Sequence, residues 1–246
     1  MISTVILYNN EKEALNRVLQ SLNWCDDIVV LADESSKYID PCIDNQSVTI
    51  IKRALNNDFG SQRNFAMTKT KHNWILFIDP DEKLSSELCD ELQSISFEDN
   101  FDAYSIRRVD IFWDKQIWHG ELSSASHKGI IRLVHRHNGQ WKGRVHEVFV
   151  PEGTIGSLCG VMYHYPHQTI GDFIHDINRY SSIRAKEISR RPTSRLFIEL
   201  LFFPPCKFVY TYFIKLGFLD GTAGYTYSFM MAFHSFLVRA KAITKT

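Results

Sequence analysis

Neither a G-x-G-x-x-G fingerprint nor a P-loop occurs among the 246 residues, which excludes the two glycine-built phosphate cradles that a sequence alone can reveal. No C-x-x-C pair occurs either. The five cysteines (Cys25, Cys42, Cys89, Cys159, Cys206) are odd in number and widely spaced, which argues for reduced thiols in a cytoplasmic protein rather than a disulfide framework or zinc site. No sign of charge prevails: 28 basic residues face 28 acidic ones, so the chain as a whole is no general nucleic-acid binder. The opening "MISTVILYNNEKEA" has no basic n-region and too short an apolar run for a signal peptide. What is present is a globular composition, 44% hydrophobic and 23% charged. The length suits one large domain, or one domain with an appendage.

Apolar runs and helical spacings alternate through the first hundred or so residues. "ISTVIL" (2–7), "DIVVLA" (27–32), "VTIIKR" (48–53) and "WILFI" (74–78) read as strands. Between them, "EKEALNRVLQSL" carries Ala14, Leu15, Val18, Leu19 and Leu22 at helical spacing, and "GSQRNFAMTKT" reads as a second helix. A third helix takes Leu84, Leu88, Leu92 and Ile95. This order predicts βαβ units around a parallel sheet buried on both faces. Further on, "DAYSIRRVDIFW", "GIIRLVHR", "GRVHEVFV" and "SLCGVMYHY" are strand-like without long helices between them. The expected fold is therefore α/β: a mixed, mostly parallel sheet flanked by helices. A helix over residues 170–190 follows, with Phe173, Ile174, Ile177, Tyr180 and Ile188 on one side. The expected division is a core over 1–168, a connecting helix over 169–194, and a basic, aromatic helical segment over 195–246.

In an open parallel sheet, ligands sit outside the carboxyl ends of the strands. Three polar clusters fall there: Tyr8-Asn9-Asn10-Glu11, Asp33-Glu34-Ser35 and Asp79-Pro80-Asp81-Glu82. The last sets three carboxylates within four positions at the end of an apolar strand. Such crowding is costly unless a cation joins the charges or water screens them. A D-x-D at a strand end suits Mg²⁺ or Mn²⁺ carrying a diphosphate, because hard carboxylate oxygens leave positions open for phosphate. An acidic turn has the same composition; the place after the fourth strand is what favours the metal. The pair His135 and His137 shares one strand face and reads as structural or exposed rather than as a metal site.

"NE" (Asn10-Glu11), "WCDDIVVL", "GSQRNFA", "WILFIDPDE", "GRVHEVFV" and "KLGFLDGTAGY" resemble, in the same order, segments of the family 2 glycosyltransferases of GT-A (Rossmann-like) fold. The likeness is greatest to the lipopolysaccharide-core glucosyltransferases, and "KLGFLDG" (215–221) is its most specific part. The resemblance implies that Asp81 holds the metal, that Asp79 touches the nucleotide ribose or the metal, and that His164 adds a metal or diphosphate contact. It implies that Arg63 lies beside the uracil or the phosphates, that Asn10 and Glu11 line the nucleotide pocket, and that Asp33 hydrogen-bonds uracil. Glu147 of "VHE" becomes the catalytic base, with His146 orienting. Asp110 and Glu121 are the next candidates for that base. The implied reaction is inverting, metal-dependent transfer of a hexose, glucose or one like it, from a UDP-sugar to a lipopolysaccharide-core or other envelope glycan. One departure stands out: "ADESSKYID" replaces a run like D-S-G-S-T-D after the second strand and lacks its glycine. A non-catalytic relative that binds glycan or protein therefore stays open. A Mg²⁺ phosphohydrolase of the D-x-D-x-T/V kind fits less well, since Lys83 stands at the hydroxyl-or-valine position.

From Arg195 onward six Lys/Arg face two Asp/Glu, a local +4 against −4 for the rest. "RLFIELLFFPPCKFVYTYFIKLGFLDG" is interrupted by Pro204-Pro205, Lys207 and Lys215, which predicts no run of the roughly 18–20 residues needed to cross a bilayer. Basic ends beside aromatic, amphipathic helices instead predict a segment lying in the interface of an anionic membrane. The protein would then sit peripherally on the inner face of the plasma membrane. The alternative is a helical cover over the core or a homo-oligomer interface.

Overall fold

The computed structural model describes residues 1–9, 12–36, 47–97, 101–144, 147–166 and 169–244. The elements begin β1 (Ile2–Tyr8), α1 (Lys12–Ser21), β2 (Ile28–Ala32), β3 (Val48–Lys52), α2 (Phe59–Met67), β4 (Trp74–Ile78), β5 (Glu82–Leu84) and α3 (Ser86–Ser94). There follow β6 (Ala103–Phe112), β7 (Lys115–Ile117), α4 (Ser123–His127), β8 (Ile130–His135), β9 (Gly139–Lys142), β10 (Val148–Pro151) and β11 (Ile155–His164). Three long helices close the chain: α5 (Ile170–Ile188), α6 (Thr193–Val209) and α7 (Gly221–Thr244).

The chain forms two compact units, Met1–Arg108 with Lys128–His164, and Val109–His127 with Tyr165–Thr246. The expected core over 1–168 thus gives up residues 109–127 to the unit of the C-terminal helices.

In the first unit the sheet runs β3-β2-β1-β4-β8-β6-β11-β5. It is parallel from β3 to β4 and antiparallel where β8 joins β4 and β6, so the mixed sheet is as expected. Alternation sorts the side chains. Ile6, Val30 and Leu76 face Leu15, Val18 and Leu19 of α1 and Leu88 and Leu92 of α3. Val5, Leu31 and Phe77 face Ala66 and Met67 of α2 and the β9–β10 hairpin residues Trp141 and Phe149. Each fully buried aliphatic or aromatic side chain contributes roughly 1.5–3 kcal/mol. Leu84 is in β5 rather than the third helix: Ser85 ends the strand and caps α3, accepting the Leu88 N–H.

In the second unit the end of β6 pairs with β7, and Phe112, Ile117, Phe173, Ile177, Tyr227 and Met230 form its main core. On α5, Ile174 and Tyr180 are exposed, contrary to expectation, and the buried stripe is Phe173, Ile177, Ser181, Ala185 and Ile188. Pro204 and Pro205 do not stop α6, which runs on through a π-turn at Tyr210–Ile214. Thr193–Ile214 is thus 22 residues long, enough by length and composition to cross a membrane, which the interrupted sequence did not predict. "KLGFLDG" forms the turn after it. Leu216 takes the left-handed conformation, Gly221 a positive φ of 65° that suits glycine, and Gly224 packs so near the Gly217 carbonyl that no Cβ fits.

Candidate active site

Tyr8 lies opposite Ala32 and Ile6 opposite Ile78, so the chain leaves β1, β2 and β4 at one edge of the sheet. The three carboxylates after β4 then meet three different environments. Asp79 is held from two sides: Oδ1 accepts from Arg63 Nη2 at 3.1 Å and Oδ2 from Arg132 Nη2 at 2.6 Å. Loss of hydration alone would raise its proton affinity, but the Arg132 and Arg63 guanidiniums outweigh this and hold the carboxyl well below the usual range. Glu82 is buried, with Oε1 2.6 Å from Arg132 Nη2 and Oε2 accepting the Asp79 backbone N–H at 2.9 Å. Burial pushes its carboxyl upward, against the pull of Arg132. Asp81 alone points outward, its Oδ2 3.2 Å from His164 Nε2. Two buried arginines thus resolve most of the crowding, and one carboxylate is left for an outside partner.

Arg63 joins this turn to the other half of the site. It is 4% exposed, and its guanidinium stacks 4.8 Å from the Trp141 ring and 5.3 Å from Phe77. Its Nε donates to Glu147 Oε1 at 2.8 Å. Asp58 caps α2 through the Ser61 N–H, and the Phe59 N–H donates to the Arg144 carbonyl. A Cβ on Gly60 would collide with the Gly143 carbonyl, so the glycine of "GSQRN" is what lets the backbone at Gly143 lie on the helix. Glu147 itself lies in the loop before β10, not within an apolar strand as expected, because β10 begins at Val148. Its partner is Arg63 of another element rather than the adjacent Arg144.

Beside these groups lies a cavity of about 420 Å³ lined by Arg63, Asp79, Arg132, Trp141 and Glu147, among others. Arg63 Nη1, Arg132 Nε and Trp141 Nε1 are buried and have no hydrogen-bond partner among the described residues. All three are donors, which suits a ligand that brings acceptor oxygens.

The structure therefore brings together Asp79, Arg63 and Glu147, and separately Asp81 with His164. Asp33 stands apart at the end of β2: its Oδ1 accepts the Leu55 N–H at 2.9 Å and its other oxygen accepts from Ser35 Oγ. The Ser35 hydroxyl, then the Leu55 amide, hold its carboxyl below the usual range. With Tyr8, Asn9, Phe59 and Gln62 it lines a small cleft. Asn10, Glu11 and His146 lie outside the described residues. Glu121 pairs with Lys207 at 2.6 Å within the second unit. Sequence reasoning passed over Arg132 and Trp141; the signal for Arg132 was a lone charge inside the apolar run "IIRLVH".

A metal fits only part of the set. Both Asp79 oxygens are taken by guanidiniums, and among the described residues no three His, Cys, Asp or Glu side chains converge. Asp81 with His164 offers one oxygen and one nitrogen side by side, a pair that suits Mg²⁺ or Mn²⁺ completed by phosphate oxygens and water.

Residues 3–162 match the model of glycosyl transferase family 2. Over 98% of its length the chain is 27% identical to an uncharacterised glycosyltransferase of Rickettsia typhi, covering 86% of that protein. It is 26% identical to the lipopolysaccharide core biosynthesis glycosyltransferase LpsC of Rhizobium meliloti, over 98% of this chain and 91% of LpsC. The fold is similar to that of S. aureus TarS residues 1–349, solved in complex with UDP-GlcNAc: TM-score 0.50 at 12% identity, covering 98% of this chain and 81% of that one. With its sheet edge, its D-x-D turn and its family segments in order, the chain belongs to glycosyl transferase family 2 and is a glycosyltransferase of GT-A-like fold.

Proposed function

We propose that the protein moves a hexose, glucose or a near relative, from a UDP-sugar to a lipid-linked lipopolysaccharide-core or other envelope glycan, with inversion and with Mg²⁺ or Mn²⁺. Two observations carry this reading: the outward Asp81–His164 pair, and, two residues back in the same turn, Asp79 lining a cavity where Arg63 Nη1, Arg132 Nε and Trp141 Nε1 are buried donors without a partner among the described residues. LpsC, a core-biosynthesis enzyme by name, supports the acceptor class.

Asp81 and His164 would hold the cation, which when bound neutralises charge on the leaving diphosphate. Asp33 and the cleft around it take the base, and Arg63 with Asp79 the ribose and phosphate side. The acceptor oxygen attacks the anomeric carbon opposite the diphosphate. As that bond forms, the carbon–oxygen bond to the diphosphate breaks and its electron pair leaves with the UDP. The hydroxyl proton passes to the Glu147 carboxylate. Binding of UDP with and without Mn²⁺, followed by donor hydrolysis, tests the reading. Thermal stabilisation by UDP that needs the metal and is lost in Asp81→Asn is expected. Equal stabilisation in excess chelator would sink the cation assignment.

The second unit supports a membrane-bound acceptor. Along α6 and its π-turn, Phe197, Ile198, Leu201, Phe202, Phe213 and Ile214 are exposed, while only Leu196, Glu199 and Thr211 are buried. An apolar surface of this extent calls for a partner. Glu199 and Lys207 turn inward, to Arg191, Arg195 and Arg239 and to Glu121 respectively. A spanning placement would carry these ion pairs into hydrocarbon, whereas a helix lying in the interface leaves them on the protein side. Flotation with anionic vesicles is the expected result on the cytoplasmic leaflet's lipids, and a stable dimer without lipid binding would favour an oligomer interface instead.

A further inference from the structure

Glu82 is the one carboxylate of the acidic turn that reaches neither solvent nor the cavity, and Arg132 is the one charge within the buried strand β8. Their geometry is specific. Arg132 Nη2 bridges Asp79 Oδ2 and Glu82 Oε1, both at 2.6 Å. The second oxygen of Glu82 accepts the Asp79 backbone N–H at 2.9 Å, and the Glu82 N–H donates to the Asp79 carbonyl at 3.0 Å. Glu82 therefore grips the turn at its first residue's backbone directly and, through Arg132, at that residue's side chain. Arg108 Nη1 stands 3.6 Å away on the same Glu82 oxygen.

The placement of these groups follows from the sheet. The β4–β8 ladder is paired as far as Leu76 with Leu133, so Arg132 is the next residue past the pairing, at the level of Phe77, two residues before the turn. On the other side, Glu82 is paired with His164 in the antiparallel β5–β11 ladder. The residue that fixes the turn is thus also the register partner of the histidine that faces Asp81.

We infer that Glu82 and Arg132 are positioning residues that set the separation of Asp81 from His164 by clamping the Asp79–Pro80–Asp81 turn. Glu82 reaches neither the cavity nor solvent, whereas Arg132 also borders the cavity, so Glu82 is the member of the pair that acts on the turn alone. This rests on the reading of Asp81 and His164 as the cation pair, but the clamp itself is a property of the chain alone. A turn fixed only by Pro80 would leave Asp81, an exposed side chain, free to sample positions too far from His164 to share a cation. A clamp that orders it beforehand lowers the cost of binding.

The test uses three variants of the full chain: Glu82→Gln, Arg132→Lys, and the double variant Glu82→Leu/Arg132→Met, in which the two opposite charges are removed together and Asp79 keeps Arg63 as its partner. Backbone hydrogen exchange over residues 78–84 reads the clamp, and UDP affinity with and without Mn²⁺ reads its consequence. In the double variant the Asp79 amide should lose protection by tenfold or more while the α1 and β1 amides keep theirs. Its UDP affinity in Mn²⁺ should fall about tenfold or more; Glu82→Gln, which leaves the cavity lining intact, should lose affinity in Mn²⁺ with metal-free UDP binding unchanged. Arg132→Lys, which keeps the charge but cannot bridge as a fork, should fall between wild type and double variant. Glu82→Gln, should the double variant prove unstable, is to show the same direction on both readouts. Wild-type protection of the Asp79 amide in the variants overturns the inference. If the wild type binds UDP without regard to metal, the cation reading fails, and the exchange data still decide whether the pair holds the turn.

Discussion

The two units of this chain place their charges in opposite ways. In the first, apolar strands are buried and the charges crowd the sheet edge, where Arg63 and Arg132 meet Asp79, Glu82 and Glu147. In the second, charges turn inward and large apolar side chains face out: Glu199 is 5% exposed, whereas Phe202 is 61% and Ile214 68% exposed. Burial of charge is affordable in both units because each charge has a partner within a few ångströms. The difference lies in what stands outside. The first unit is built to meet a polar ligand at one edge, and the second presents a face that water does not suit.

This contrast is sharpest in activity. Glu147→Gln keeps the size of the side chain and a hydrogen bond to Arg63 but cannot take the acceptor's proton. Turnover should drop by roughly 10²–10⁴ with UDP-sugar binding near normal; wild-type turnover on the true acceptor moves the base elsewhere. Next in size is Glu199→Ala, which strands Arg239 and leaves Arg191 and Arg195 without their partner in the second unit. Because Arg191 and Arg195 reach water, the loss should fall at the low end for a broken buried pair, about 3 kcal/mol, read by denaturant unfolding. No loss would mean that the inward charges are not structural. The smallest change is expected from Phe202→Ser with Ile214→Ser. Stability should shift by no more than about 0.5 kcal/mol, as for exposed positions generally. Partition onto anionic vesicles should fall at least about tenfold, given roughly 1.5–3 kcal/mol per large apolar side chain withdrawn from water. Unchanged partition together with loss of a dimer would recast the outer face as an oligomer interface.

Much of the first unit was legible because its strands are continuous apolar runs and its helices keep one apolar stripe. β1, β2, β3 and β4 fall within a residue or so of where the pattern sets them. The second unit was harder to read. Pro204-Pro205 looked like a break, yet each proline removes only one donor from the ladder, and α6 continues to the π-turn. At the site, the D-x-D and its neighbours stood out as motifs, while the wiring between them did not. The Arg63–Glu147 bond joins residues 84 positions apart and the Arg132–Asp79 bond residues 53 apart. Local spacing carries no trace of such pairs.

The "KLGFLDG" turn has a bearing on how the chain is made. Asp220 is bonded to both the backbone amide and the ring of His119, and these residues stand 101 positions apart. On the ribosome, at roughly 5–20 residues per second, segment 109–127 would wait on the order of 5–20 s for that partner to be synthesised. Through that interval Phe112, Ile117 and Trp118 have only part of their eventual neighbours. The first unit is already complete in sequence at His164, so it can close while the second is still a hairpin awaiting its helices. A ribosome stalled between those points would leave a finished sugar-transfer scaffold with an unfinished, sticky insert, the kind of nascent chain that calls for a chaperone.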